Sequence, residues 1–340
     1  MIRVLVVDDS AFMRGLTGLM LESDPGIRVI GNAKDGSEAV EKVISLDPDV
    51  VTMDLLMPGM NGVEAIREIM AKKPVPVVIF AAGADHSELT LEALAVGAVD
   101  FVAKPSGGPL EDCRAELIRK VRAAAVAKIR REPFKLVHVP KKAPGRLAQV
   151  VVAIGASTGG PSAIERLLAA LPGDLPAGIL VTQHMPPNFT TSFAKRLNRH
   201  CPLTVKEVGE EEELLEGLAL IAPGCSHVVV DAMGKIRRDF SAAQYTPSID
   251  VMMASVARAF GDRSIGIVLT GMGSDGAQGM AAIRRAGGRT IVQDEKTSVI
   301  YGMPRAVVSN GDAQQILPLD MIPLAVQRLV DELRRRNLGN

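Results

Sequence analysis

At 340 residues the chain exceeds what one hydrophobic core usually serves, so two domains are expected, each with its own core. Lys and Arg together number 39, as do Asp and Glu, and this zero formal net charge argues against nucleic acid as a partner, which calls for a concentrated basic surface. The three cysteines are far apart with no CxxC pair, which speaks against a disulfide framework or a zinc site. No leader-like segment opens the chain and no apolar run approaches the roughly 20 residues of a membrane span, so a soluble, cytoplasmic protein without membrane insertion is expected.

In the first hundred residues, β-branched runs at 4–7, 28–30, 50–53, 77–80 and 99–102 alternate with stretches of helical periodicity at 11–23, 37–46, 62–72 and 87–96. A further helix over 110–131 completes a (βα)5 parallel sheet. From 126 to 149 the chain turns rich in Pro, Lys and Arg and loses periodicity, which reads as a linker, solvated and extended. A second alternation follows over 150–340. Strands are expected at 150–154, 178–181, 265–269 and 290–292, and helices at 163–170, 188–198, 249–260 and 277–286, with less regular, shorter strands within 203–231 and a charged helix over 323–336. The fold class is therefore α/β twice over, a (βα)5 domain over 1–125 and a doubly wound, mostly parallel sheet over 150–340.

In such sheets, functional side chains collect beyond the carboxyl ends of the strands. Asp8 and Asp9 close the first strand, Asp54 the third, and Lys104 follows the fifth. Three carboxylates on one rim repel one another and favour a hard divalent cation, with magnesium the best match, while Lys104 supplies positive charge for a phosphoryl group. Any one Asp at such a place is most simply a helix cap. The ordered set is not. On these residues the first domain resembles the receiver domain of two-component response regulators. The resemblance implies Asp54 as phosphoacceptor from a histidine kinase, magnesium on Asp8, Asp9 and Asp54, and Lys104 on the phosphoryl group. One position departs, Ala81, where receivers carry a Ser or Thr whose hydroxyl bonds the phosphoryl oxygen.

In the second domain, Gly155-Ala156-Ser157-Thr158-Gly159 follows a strand and precedes a helix, the G-x-S-x-G arrangement that exposes a serine hydroxyl on a tight turn. Alone it fits a phosphate loop as well. His184 follows the strand at 178–181 on the same rim, whereas His200 lies beyond a helix and His227 precedes a strand, which puts both nearer the opposite rim. Asp275, in the loop after 265–269, reaches the same crevice, with Asp294 as its rival and an N-cap as its plainer role. A serine, a base and an orienting carboxylate on one rim point to ester or amide hydrolysis.

The series IGASTGG, QHMP, APG, PSID, LTGMGSDGA, QDE and YGMPRA is similar to the catalytic domain of chemotaxis response-regulator protein-glutamate methylesterases. The resemblance implies Ser157 as nucleophile, His184 as general base, Asp275 as orienting carboxylate, and Thr158 with the backbone at Met272 as helpers at the oxyanion. It further implies hydrolysis of glutamyl methyl esters and deamidation of glutamines on methyl-accepting chemotaxis receptors, no cofactor for that chemistry, and release of the active site when Asp54 is phosphorylated. A receiver joined to a binding domain, or an esterase acting outside chemotaxis, are the alternative readings.

Overall fold

The computed structural model describes residues 1–82, 86–105, 109–129, 141–231 and 233–338. It divides into two compact units, Met1–Pro133 and Phe134–Asn340.

In the first unit, β1 (Ile2–Val7), β2 (Ile27–Ala33), β3 (Val50–Met53), β4 (Val77–Ala81) and β5 (Asp100–Ala103) form a parallel sheet of order β2-β1-β3-β4-β5. The central strands are continuous Val/Ile runs because helices cover both faces, and β3 and β4 are buried throughout. The helices are α1 (Ala11–Glu22), α2 (Gly36–Leu46), α3 (Gly62–Lys72), α4 (Ser87–Ala95) and α5 (Leu110–Ala124). Short polar residues start three of them. Ser10 caps α1, Asp35 caps α2, and Asn61 with Glu64 forms a reciprocal capping box on α3. The expected five-fold alternation is present, with β2 longer than anticipated and α5 ending at Ala124.

The second unit is built on seven strands in the order β15-β14-β13-β6-β7-β10-β8, parallel throughout. These are β6 (Val151–Ala156), β7 (Gly178–Gln183), β8 (Thr204–Glu207), β10 (Leu218–Ile221), β13 (Ser264–Val268), β14 (Arg289–Gln293) and β15 (Gln315–Leu317). A separate antiparallel sheet joins β9 (Glu211–Glu213), β11 (His227–Val230) and β12 (Lys235–Asp239). The helices are α6 (Gly160–Ala169), α7 (Phe189–His200), α8 (Ile249–Phe260), α9 (Ala277–Arg285), α10 (Gly302–Ser309) and α11 (Ile322–Leu338). β12, β15 and α10 were not anticipated from the sequence. Among the described residues, no helix is long and apolar enough to cross a membrane.

The end of the expected linker is exposed, as anticipated, but it is not free. Gly145 N–H donates to Glu216 O, Glu216 N–H to Arg146 O and Ala148 N–H to Leu214 O, which adds a short antiparallel rung to this unit. At the surface Arg146 pairs with Glu216 and Lys142 with Asp174. Residues 130–140 of that segment lie outside the described residues.

Candidate active site

The strand order reverses direction at β6, which lies between β7 and β13, and a crevice beyond the carboxyl ends of these strands is where such sheets hold ligands. Three loops meet there. Register pairs Gly155 with Thr182 and Ala156 with Gln183, so the next residues, Ser157 and His184, leave adjacent strands at one level. His184 N–H then donates to Ala156 O at 3.1 Å. On the other side Ser157 N–H donates to Thr270 O at 3.0 Å, and a β-carbon at Gly271 would stand 2.9 Å from Ser157 Cβ. The backbone after β13 therefore runs directly against the serine, an approach that only glycine permits.

Ser157 sits on the turn between β6 and α6, followed by Gly159 at φ +75° as N-cap and Pro161 in the first helical turn. Gln183 fixes this turn to the neighbouring strand end, since its amide Nε2 donates to Ser157 O at 2.9 Å and to His184 O at 3.0 Å. Gln183 was read from the sequence only as part of a motif.

His184 Nε2 lies 2.7 Å from Asp275 Oδ2. An ionised carboxylate only accepts, so Nε2 carries the proton and Nδ1 is the ring nitrogen able to take one up. Tyr245 stacks on the imidazole at 4.8 Å between ring centroids and 17° between planes, restraining its rotation. Asp275 is 6% exposed. It accepts from Ile249 N–H at 2.8 Å on Oδ2, and from Asp250 N–H at 3.0 Å and Ser248 Oγ at 3.2 Å on Oδ1. Ile249 and Asp250 open α8, so the carboxylate rests on a helix N-terminus, where exposed amides and the helix dipole favour negative charge. Burial opposes ionisation of Asp275, but the bonds from His184 and from these amides outweigh it and hold its pKa below the ordinary value.

The remaining candidates sort by their partners. Thr158 is buried, its carbonyl accepting from Thr270 Oγ1, and Met272 lies in the loop that passes Ser157. Asp294 is engaged locally, its Oδ1 accepting from the amide and hydroxyl of Thr297, which sets it apart from the His184 cluster. His200 pairs with Glu165 at 2.7 Å behind α6. His227 is the correction. It belongs to the antiparallel sheet and not to the main one, so the rim argument does not apply, and its Nδ1 accepts from the N–H of Ser248, itself part of the Asp275 cradle, at 3.0 Å. Cys201 is buried beneath α7, with its thiol pushed up to about 12 by burial and by nearby Glu165, whereas Cys225 is exposed, its sulfur 2.8 Å from Arg238.

In the first unit, Asp8, Asp9 and Asp54 each offer a carboxylate oxygen within 4.8 Å of the others. Lys104 Nζ bridges Asp8 Oδ2 at 2.7 Å and Asp54 Oδ2 at 2.6 Å. Burial pushes the Asp8 carboxyl above its ordinary range against the opposing pull of Lys104, while Lys104, despite burial, is held above the ordinary lysine value by its bonds to Asp54 and Asp8. Buried carboxylates that share a single cation carry residual negative charge, and an all-oxygen donor set of this kind fits magnesium. Ala81, buried at the end of β4, offers no hydroxyl, though its carbonyl anchors Lys104 N–H at 2.8 Å.

Comparison with known proteins adds the following. The CheB methylesterase family matches residues 152–326, and the response regulator receiver domain matches residues 4–111. A protein-glutamate methylesterase/protein-glutamine glutaminase of Symbiobacterium thermophilum is 46% identical, over 97% of this chain and 98% of that protein. One of the same description from Pyrococcus abyssi is 44% identical, over 99% of this chain and 96% of that protein. Among solved structures, the catalytic domain of Thermotoga maritima CheB methylesterase aligns with a TM-score of 0.52 at 39% identity, covering 54% of this chain and 98% of that one.

Proposed function

The chain belongs to the protein-glutamate methylesterase/protein-glutamine glutaminase family, and from that premise we propose that it hydrolyses γ-glutamyl methyl esters, and deamidates glutamines, on methyl-accepting chemotaxis receptors. The observation that carries the reading is the 2.7 Å bond between His184 Nε2 and Asp275 Oδ2 beside the Ser157 turn. It leaves Nδ1 as the base. In this mechanism His184 Nδ1 takes the Ser157 hydroxyl proton, Ser157 Oγ attacks the ester carbonyl, and the negative oxygen of the tetrahedral intermediate is met by amides of the loops holding Thr158 and Met272. The proton on Nδ1 then passes to the departing methoxide, which leaves as methanol. Water, deprotonated by the same nitrogen, attacks the acyl-serine and frees glutamate. With a glutamine the leaving group is ammonia, a poorer one, so proton donation by His184 matters more.

The first unit supplies control. Asp54 accepts a phosphoryl group from a chemotaxis histidine kinase, Lys104 moves its charge onto that group, and the unphosphorylated unit restrains the esterase. Asp8, Asp9 and Asp54 would hold a magnesium ion, which supplies charge to neutralise phosphoryl oxygens. With no hydroxyl at Ala81, it falls to Lys104, among the described residues, to register the phosphoryl group.

The test is methanol release from methylated receptor membranes. Ser157→Ala is expected to abolish release, and retained release would sink the assignment. Turnover of a small ester with negligible release from receptor would favour an esterase acting outside chemotaxis.

A further inference from the structure

His227 opens β11 and is 1% exposed, far too buried to touch a receptor side chain. Its ring spans two backbone groups. Nε2 lies 2.8 Å from Ser241 O, and Nδ1 lies 3.0 Å from Ser248 N. A carbonyl can only accept and an amide N–H can only donate, so the contacts fix one form of the ring, neutral, with the proton on Nε2 and a lone pair on Nδ1. What that lone pair holds is the residue where the donors to Asp275 begin. Ser248 caps α8 by accepting from Val251 N–H, its hydroxyl faces Asp275 Oδ1 at 3.2 Å, and the next two amides donate to the same carboxylate.

We propose that His227 is a positioning residue of the esterase, which aims the Ser248–Asp250 turn at Asp275 and through it orients His184. This rests on the triad reading given above. The antiparallel sheet then has a task in catalysis. It carries the acceptor that sets the angle of the α8 N-terminus. Loss of that acceptor leaves the Ser248 amide buried without a partner, and the turn relaxes away from Asp275 in search of another. The carboxylate keeps its charge less well and His184 Nε2–H loses its fixed direction. Substrate binding is unaffected.

The experiment compares His227→Leu, His227→Asn and His227→Gln in the full-length protein, with Ser157→Ala alongside, by methanol release from methylated receptor membranes well below each variant's melting temperature. Asn places an amide oxygen at the reach of Nδ1, whereas Gln places it at the reach of Nε2. His227→Leu and His227→Gln are expected to lose about tenfold or more in kcat with KM unchanged, and His227→Asn to stay within about twofold of the parent. A wild-type kcat in His227→Leu overturns the proposal. So do equal rates in His227→Asn and His227→Gln, a comparison that decides the matter even where the Leu variant fails to fold. Full release by Ser157→Ala would instead remove the triad reading itself, whereas an inactive Ser157→Ala beside an unimpaired His227→Leu removes the His227 inference alone.

Discussion

Asp275 has its charge stabilised before any substrate arrives, by one side-chain hydroxyl, the amides at the start of α8 and the imidazole of His184. Its folded pKa lies below the ordinary value, so the stabilisation is complete above the ordinary carboxylate range and disappears as pH falls through the depressed value. Asp275→Asn should therefore flatten the acid limb of unfolding free energy against pH below about 4, and lower kcat by roughly three to four orders of magnitude, because an amide cannot hold the protonated imidazole as the carboxylate does. Chemical denaturation across pH, with methanol release, checks both halves. Asp8 runs the other way. Burial raises its folded pKa, so its ionised form weighs against folding at neutral pH and that cost fades as pH falls through the raised value. Asp8→Asn should raise the melting temperature of the first unit at pH 7, while metal-dependent phosphorylation of Asp54 falls. That Ser157, His184 and Asp275 gather on one rim, and the three N-terminal aspartates on another, was legible because residue type and strand-end place agree. Gln183, Ser248, Tyr245 and His227 were not, because their roles depend on which backbone groups, carboxylate or ring face the fold brings against them, and no periodicity describes that.

At the scale of elements, the loop from Thr270 to Asp275 is set by one contact distance. A methyl group at Gly271 would stand 2.2 Å from Met303 Sδ and 2.9 Å from Ser157 Cβ. Gly271→Ala should push the loop off the serine, cost about 1–3 kcal/mol of stability and reduce methanol release at least a hundredfold, measured on protein still folded by circular dichroism. Of the elements that border the site, all but α10 were legible to within about three residues at either end, since continuous apolar runs and amphipathic stretches leave little choice. The elements that escaped are those whose partners substitute for an apolar pattern. β12 reads Lys-Ile-Arg-Arg-Asp with Ile236 alone fully buried, and its partner β9, within the stretch where short strands were expected, is three glutamates. The two strands stand as a sheet because opposite charges face each other across the ladder, Lys235 opposite Glu213 and Arg237 opposite Glu211. α10 begins Gly302-Met303-Pro304, which signals a turn, yet proline is tolerated in a first helical turn where its missing N–H has no partner to lose.

For the whole molecule, the boundary of the second unit lies earlier than composition implied. Residues 145–148 pair with 214–216, so a chain beginning at 147 would lose part of that rung and one beginning at 150 all of it, whereas one beginning at Lys141 keeps it. A 141–340 protein should melt at a higher temperature than a 150–340 protein and release methanol faster than the unphosphorylated full-length chain. Equal basal rates would count against restraint by the first unit. The two-unit plan itself was readable from length and from the repeated alternation, but the linker's end was not, because proline and lysine describe a bound extended segment as well as a free one. The distribution of thiols adds a practical reporter. Cys225 is open to reagent, Cys113 is partly covered, and Cys201 is sealed with its thiol pushed up to about 12. Alkylation of the native protein therefore proceeds quickly at Cys225, and Cys201 reacts only when the fold around α7 opens, so its labelling rate, followed by mass, is a clock for opening that needs no engineered probe.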